Sequence, residues 1–286
     1  VAKDVEIKYD ITKHHSSFDA IETGVANSEF PEQKYKTSLG TGEYDRNTND
    51  LRLKSRSVKA KNNYFYSTDG LQDSLAYLAK SAYYNFDRKE IEIAGVPYIY
   101  VADAMITPDT GKVKVKPDGF LEELKDATID ANLETRYHKI YNADVAISSA
   151  KRYTGSGKYD YIPINGNDQY ISMAEIKVQG DTLTVAEGDI PEDQGFYLTD
   201  RIFFKGITRL EANQKFMTFK GEVKIDSDNE FFDDKWFAFE DVVNPDSVFV
   251  KITESELGAL VVGLHYIERN HQRFYAEGAN LFGNRI

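Results

Sequence analysis

The stretch Glu43-Tyr44-Asp45-Arg46-Asn47-Thr48-Asn49-Asp50-Leu51-Arg52-Leu53 has a second copy, Tyr83-Tyr84-Asn85-Phe86-Asp87-Arg88-Lys89-Glu90-Ile91-Glu92-Ile93, with Tyr44 recurring as Tyr84 forty positions on. Each copy runs from an aromatic through a polar stretch to an acid, then to a branched apolar residue, a charge and another branched apolar residue. Asn and Asp bond their own backbone and tolerate turn geometry, so the polar stretch is a turn. The alternation that follows has the period of a strand with one buried face. A turn feeding a strand cannot bury its apolar face alone, and repetition lets neighbouring copies share a core. The expectation is that Leu51/Leu53 and Ile91/Ile93 occupy equivalent, adjacent strands. Arg52 would then stand opposite Glu92 as a cross-strand ion pair.

The rest of the chain extends the β reading. Val5-Glu6-Ile7-Lys8-Tyr9-Asp10-Ile11 alternates apolar and polar residues without a fault. Residues 14–34 carry Gly24, Asn27 and Pro31 and read as an irregular connection, while 74–83 reads as a short helix or a loop. Pro97 puts the strand of 95–102 at an edge or bulge. Pro108-Asp109-Thr110-Gly111 predicts a hairpin whose outer face carries Lys112, Lys114 and Lys116, a device against edge-to-edge aggregation. Ala-centred strands follow at 126–129 and 142–147. Gly155 and Gly157 read as a turn into a strand over 158–164, which ends at the hairpin signal Asn165-Gly166 with 170–178 as its partner. Further strands are expected at 183–186, 196–204, 208–212, 216–225, 247–252, 257–267 and 272–276. The fold class is therefore mainly β: stacked antiparallel strands in an elongated β-sandwich or jelly-roll-like repeat with little helix. It divides into an N-terminal strand and connection (1–38), a β-repeat region (39–150) and a second β region (151–286).

Composition narrows the function. A formal net charge of −12 argues against nucleic acid, because phosphate neutralisation needs a dominant basic face; Arg52, Lys54, Arg56, Lys59 and Lys61 are too few to make one. No apolar run approaches the roughly 20 residues of a membrane-spanning helix. The absence of cysteine removes disulfide and thiol chemistry. Abundant Tyr, Asn, Asp and Thr lean toward an extracytoplasmic β-protein. A start at Val1 without Met reads as a processed or truncated piece of a longer chain.

No motif completes a catalytic, cofactor or metal site. His14-His15 point to opposite faces of an extended chain. His138 with Glu134 needs a helix for its spacing, and the region reads as strand. Gly155-Ser156-Gly157-Lys158 fails as a phosphate loop because Arg152 and Tyr159 replace the required Gly and Ser/Thr. Asp226-Ser227-Asp228-Asn229-Glu230 begins like a calcium loop, but Phe231 and Phe237 stand where Gly and the bidentate acid belong. No nucleophile-elbow pattern appears. The densest aromatic and acidic patch supplies the candidate ligand-binding residues Phe232, Asp233, Asp234, Trp236 and Phe237. Flat rings beside carboxylates suit a pyranose, and alternate aromatics also suit a β-core.

The run Tyr98-Ile99-Tyr100-Val101-Ala102-Asp103-Ala104-Met105-Ile106-Thr107-Pro108-Asp109, with Tyr137-His138-Lys139-Ile140-Tyr141-Asn142-Ala143, Gly155-Ser156-Gly157-Lys158-Tyr159-Asp160-Tyr161, Phe203-Phe204-Lys205-Gly206 and Trp236-Phe237-Ala238-Phe239, resembles a family of large extracytoplasmic proteins of Bacteroidota to which no activity is assigned. The turn-strand repeats are also similar to the organic-solvent-tolerance type β-repeats of lipopolysaccharide-transport proteins. Three functions are thereby expected for comparison. The first is a non-enzymatic scaffold or interaction segment of a larger cell-envelope or surface protein, whose partners are other segments of the chain or envelope proteins. The second is a groove for lipid or lipopolysaccharide. The third is a glycan-binding module or glycosidase at Trp236.

Overall fold

The repeated stretch is a β-hairpin, and the described residues contain it three times in one sheet. The computed structural model describes residues 1–22, 25–55, 63–163, 168–226, 235–252, 262–266 and 272–276. Its first ten strands form successive antiparallel pairs: β1 (Val5–Asp10) with β2 (His15–Ala20), β3 (Ser28–Phe30) with β4 (Tyr35–Thr37), β5 (Thr41–Asp45) with β6 (Asp50–Lys54), β7 (Tyr64–Ser67) with β8 (Ala76–Leu78), and β9 (Ser81–Asn85) with β10 (Glu90–Ala94). Alternate pairs go to alternate sheets. β1-β2-β5-β6-β9-β10 run in that order through one sheet, closed by β13 (Lys112–Val115), and β3-β4-β7-β8 form a second. Phe30 of β3 meets Tyr84 of β9 at 5.2 Å between ring centroids, so the inner faces of the two sheets share a core.

The turn chemistry explains why the hairpin repeats. Asp10, Asp45 and Asn85 stand just before four-residue turns, and each side-chain oxygen accepts turn amides: Asp10 from Thr12 (3.0 Å) and Lys13 (3.1 Å), Asp45 from Asn47 (2.8 Å), Asn85 from Arg88 (2.7 Å). The last residue of each turn, His14, Asn49 or Lys89, has φ between 53 and 55°.

Several expectations are corrected here. Residues 14–34 are not irregular, since β2 and β3 lie within them. Residues 74–83 form no helix but hold β8 and the start of β9. Leu51/Leu53 and Ile91/Ile93 do occupy equivalent strands, but β9 lies between those strands, because each repeat contributes a hairpin and not one strand. One rung reads Ser17, Glu43, Arg52, Tyr83, Glu92, Lys114 across the sheet. Arg52 is thus opposite Glu43, with Tyr83 separating it from Glu92. The lysine-bearing β13 is the sheet's edge as expected, yet it pairs with β10, and turn 108–111 carries the chain between sheets.

A further sheet begins with β11 (Ile99–Val101), β12 (Ala104–Thr107), β14 (Leu124–Ala131) and β15 (His138–Ser149), and continues through β16 (Arg152–Tyr161), β17 (Gln169–Gln179) and β18 (Leu183–Ile190). β11, the Pro97-flanked strand, is at the end of this order. Gly155 and Gly157 lie inside β16 and make no turn; a side chain at 155 would collide with the Asp144 carbonyl of β15. Asn165-Gly166 falls outside the described residues.

The chain divides into two compact units, Val1–Gly157 with Ile176–Thr184, and Lys158–Glu175 with Val185–Ile286. The second unit takes the remaining parts of β16, β17 and β18 and adds β19 (Tyr197–Thr199), β20 (Ile202–Glu211), β21 (Met217–Ile225) and β22 (Trp236–Val243), with β23 (Phe249–Ile252), β24 (Val262–Tyr266) and β25 (Gln272–Ala276) as a separate three-stranded sheet. The strand expected over 196–204 is broken at 200–201 into β19 and β20. The core of this unit centres on Phe219, whose ring lies 5.2 Å from Phe204, 5.6 Å from Tyr161 and 6.3 Å from Phe196.

Candidate functional site

In the first sheet the inner face is buried progressively from one edge to the other. Ile93 and Ile91 of β10 are fully buried, Leu53 of β6 is 1% exposed and Tyr84 of β9 is 8% exposed. On the edge strand β1, Ile7 and Tyr9 occupy the same rungs and face the same way. Ile7 continues the row Phe18, Gly42, Leu53, Ala82, Ile93, and Tyr9 the row Ser16, Tyr44, Leu51, Tyr84, Ile91. Yet Ile7 is 68% and Tyr9 53% exposed. An edge strand also leaves a row of backbone N–H and C=O groups unpaired. The same end of the unit exposes Val1, Ile11, Ile21 and Val25.

Beside this edge a groove of about 410 Å³ opens between the two sheets, lined by Phe18, Phe30, Leu51, Tyr84 and Phe86. Phe18 lies flat over Gly42, where any side chain would enter its ring. One wall is β3, held by residues 1–3: the Val1 amino group donates to the Glu29 carbonyl at 2.6 Å, and the amides of Glu29 and Lys3 donate to the carbonyls of Val1 (2.7 Å) and Asn27 (2.8 Å). Ser28 lines the groove with its hydroxyl buried and unpartnered, and the buried Asn27 amide beside it also lacks a partner. Burial raises the Tyr84 phenol above its ordinary range. At the tip of the edge hairpin, the Thr12 hydroxyl and Lys13 amide hold the Asp10 carboxyl below its ordinary range, so it stays charged.

The expected sugar patch lies in the second unit and is only partly brought together. Phe232, Asp233 and Asp234 fall outside the described residues. Trp236 and Phe237 are neighbours on β22 and point to opposite faces; Phe237 is buried, and Trp236 stands half-buried in the outer row Phe203, Lys224, Trp236. The groups found at its ring are cations: Lys205 Nζ lies 4.3 Å and Lys224 Nζ 5.8 Å from the ring centroid. Lys205 is itself bound by Glu192 (3.0 Å) and Glu222 (3.1 Å), and its pKa is raised chiefly by Glu192. The adjoining cleft, about 210 Å³, is lined by Phe196, Phe203, Phe204 and Lys224.

His14 sits at the exposed tip of the first hairpin, whereas His15 enters β2 opposite Asp10 and Asp45. His138 begins β15 as a core residue, and Glu134 lies in the preceding turn. Most of the calcium-like segment is outside the described residues. Among the described residues no group of three or more His, Cys, Asp or Glu is placed to hold a metal, and no helix is long and apolar enough to cross a membrane. Sequence reasoning did not single out Phe18, Ser28 or the β1 edge. The signal available was Tyr9-Asp10, which repeats Tyr44-Asp45 and Tyr84-Asn85.

Fold and edge together define a class: an antiparallel β-protein of stacked hairpins in which the described edge strand β1 exposes apolar residues. Comparison with protein-family models, curated proteins and solved structures returned no match.

Proposed function

We propose that this chain is a non-enzymatic β-repeat segment of a larger extracytoplasmic, cell-envelope or surface protein, and that it works as a scaffold whose interaction surface is the β1 edge. One observation carries the reading: Ile7 and Tyr9 are exposed at repeat positions that are covered in the later copies, where Gly42, Ala82 and Tyr84 are buried and Tyr44 is half-buried. In β5 and β9 those positions are covered because the preceding hairpin pairs with the strand and the second sheet packs over it. Strand addition supplies the same cover, with main-chain hydrogen bonds giving affinity and alternate side chains giving selectivity. The test offers the protein a synthetic peptide of residues 41–54, the second hairpin. At a chain concentration that sedimentation shows to be monomeric, hydrogen exchange of the β1 amides is expected to slow in proportion to peptide added; unchanged exchange at β1 of the monomer with millimolar peptide defeats the reading.

The groove beside the edge favours a second reading, as a site for an acyl chain. Its walls are mainly aromatic and aliphatic, and its volume is in the range of small-ligand sites. Native mass spectrometry of the purified protein checks it: a co-purified lipid that is lost in Leu51→Glu supports the groove, and a lipid-free protein that takes up no fatty acid rejects it.

A further inference from the structure

The residues of β1 specify which strand fits beside it. Val5, Ile7 and Tyr9 share the inner face, and Glu6 and Lys8 share the outer one. Within its own sheet Glu6 stands opposite Asp19, a like charge, and Lys8 opposite Ser17, so neither has an opposite charge across the ladder.

We propose that β1 pairs antiparallel with β1 of a second copy of this chain, in a twofold register centred on Ile7. The inference rests on the edge-pairing reading above and names the occupant. In that register Ile7 meets its own counterpart and Val5 meets Tyr9, joining the two inner faces into one apolar surface. On the outer face Glu6 of each copy meets Lys8 of the other, placing a cation beside the Glu6–Asp19 pair and forming two symmetry-related ion pairs. Neighbouring registers fail on charge. A shift that keeps apolar residues opposite apolar residues places Glu6 opposite Glu6 or Lys8 opposite Lys8. A shift by a single residue sets apolar side chains against charged ones. Asp4, at φ 54°, lies just outside β1 and bounds the pairing at Val5. Lysine on an edge ordinarily discourages pairing; here it excludes strands without an acid at the matching position and admits this one.

Sedimentation equilibrium of the full chain, read together with β1 hydrogen exchange, tests the proposal. The expected result is a concentration-dependent dimer. Glu6→Lys and Lys8→Glu are each expected to weaken it by about tenfold or more, because each converts two attractive pairs into two repulsive ones. The double variant E6K/K8E restores both pairs with the net charge unchanged, and dimerisation is expected to return. A chain that stays monomeric, or a dimer indifferent to all three variants, overturns the self-pairing. If the chain is monomeric while the 41–54 peptide still protects β1, the occupant is wrong and edge pairing stands. If neither occurs, both fall.

Discussion

The hairpin sheet of the first unit and the strands of the second use antiparallel pairing in opposite ways. In the first, β5, β6, β9 and β10 have five residues each and are defined by their turns, and the core they cover thins toward one edge. In the second, β20, β21 and β22 run for 10, 9 and 8 residues around a single aromatic cluster. Its outer face is laced with charge: Arg209 bridges Glu187 and Glu211, Lys205 bridges Glu192 and Glu222, and Lys220 pairs with Glu240. Among the described residues the hairpin ladder has its apolar rim at β1, where Ile7 and Tyr9 are exposed. The sheet folded over one cluster carries these ion pairs on its exterior beside single exposed apolar residues such as Ile207 and Val242. The exposed inner-face residues Ile7 and Tyr9 belong to the first unit.

The largest expected effect tests the concentration of the second core. Phe219→Ala removes the ring that touches Phe204, Tyr161 and Phe196 and is expected to cost about 3–5 kcal/mol. Because Trp236 is the only tryptophan, its fluorescence follows this unit, and its denaturation midpoint should fall while hydrogen exchange in β5, β6, β9 and β10 is unchanged. Equal loss in both units would erase the distinction. The graded core of the first unit predicts a contrast within one rung: Leu53→Ala costs about 2–5 kcal/mol, whereas Ile7→Ser stays within about 0.5 kcal/mol in the monomer. Comparable losses in urea melts would refute the gradient.

A third substitution addresses a buried polar group within the first unit, at Thr184. The Thr184 hydroxyl bonds Asp103 and lies 2.8 Å from the Tyr153 hydroxyl, with Tyr153 buried. Thr184→Val takes this partner from the Tyr153 hydroxyl and leaves Asp103 only the bond from the residue-184 amide (3.0 Å), and is expected to cost about 1–3 kcal/mol, read as a lowered melting temperature; an unchanged melt would show that water replaces the hydroxyl. The smallest effect is on pH. Asp10, Asp50, Asp69 and Glu122, all in the first unit, have lowered pKa values, caused chiefly by the Thr12 hydroxyl, the Tyr83 hydroxyl, the Leu71 amide and the Lys116 ammonium. Their unfolded values lie near 4. The stabilisation they give is therefore complete above about pH 5 and is lost as pH falls through the lower folded values. Hydrogen exchange at pH 6 and pH 3 should show the first unit loosening more than the second.

The all-β class and the repeat were legible because they depend on local chemistry. Asp45 and Asn85 close their turns by bonding amides two or three residues on, and alternation marks Leu51/Leu53 and Ile91/Ile93 as one face whatever the partner. The third copy escaped because β2 reads His-Ser-Ser-Phe-Asp-Ala, without the branched apolar pair that marks β6 and β10. Of the candidate patch, the cationic neighbours of Trp236 were not legible. Lys205 and Lys224 lie on β20 and β21, and only strand register carries them to the ring.

By itself the sequence determined which segments turn, which alternate and which face of each strand is apolar, since these follow from interactions within a few residues. The tertiary structure decided that each repeat is a two-stranded hairpin, that β9 separates Arg52 from Glu92, that alternate hairpins enter alternate sheets, and that Ile7 and Tyr9 are left uncovered. Those outcomes depend on which distant strand supplies the next rung and which sheet packs above it. Such pairings are set by the joint burial of many side chains, and no local pattern encodes them.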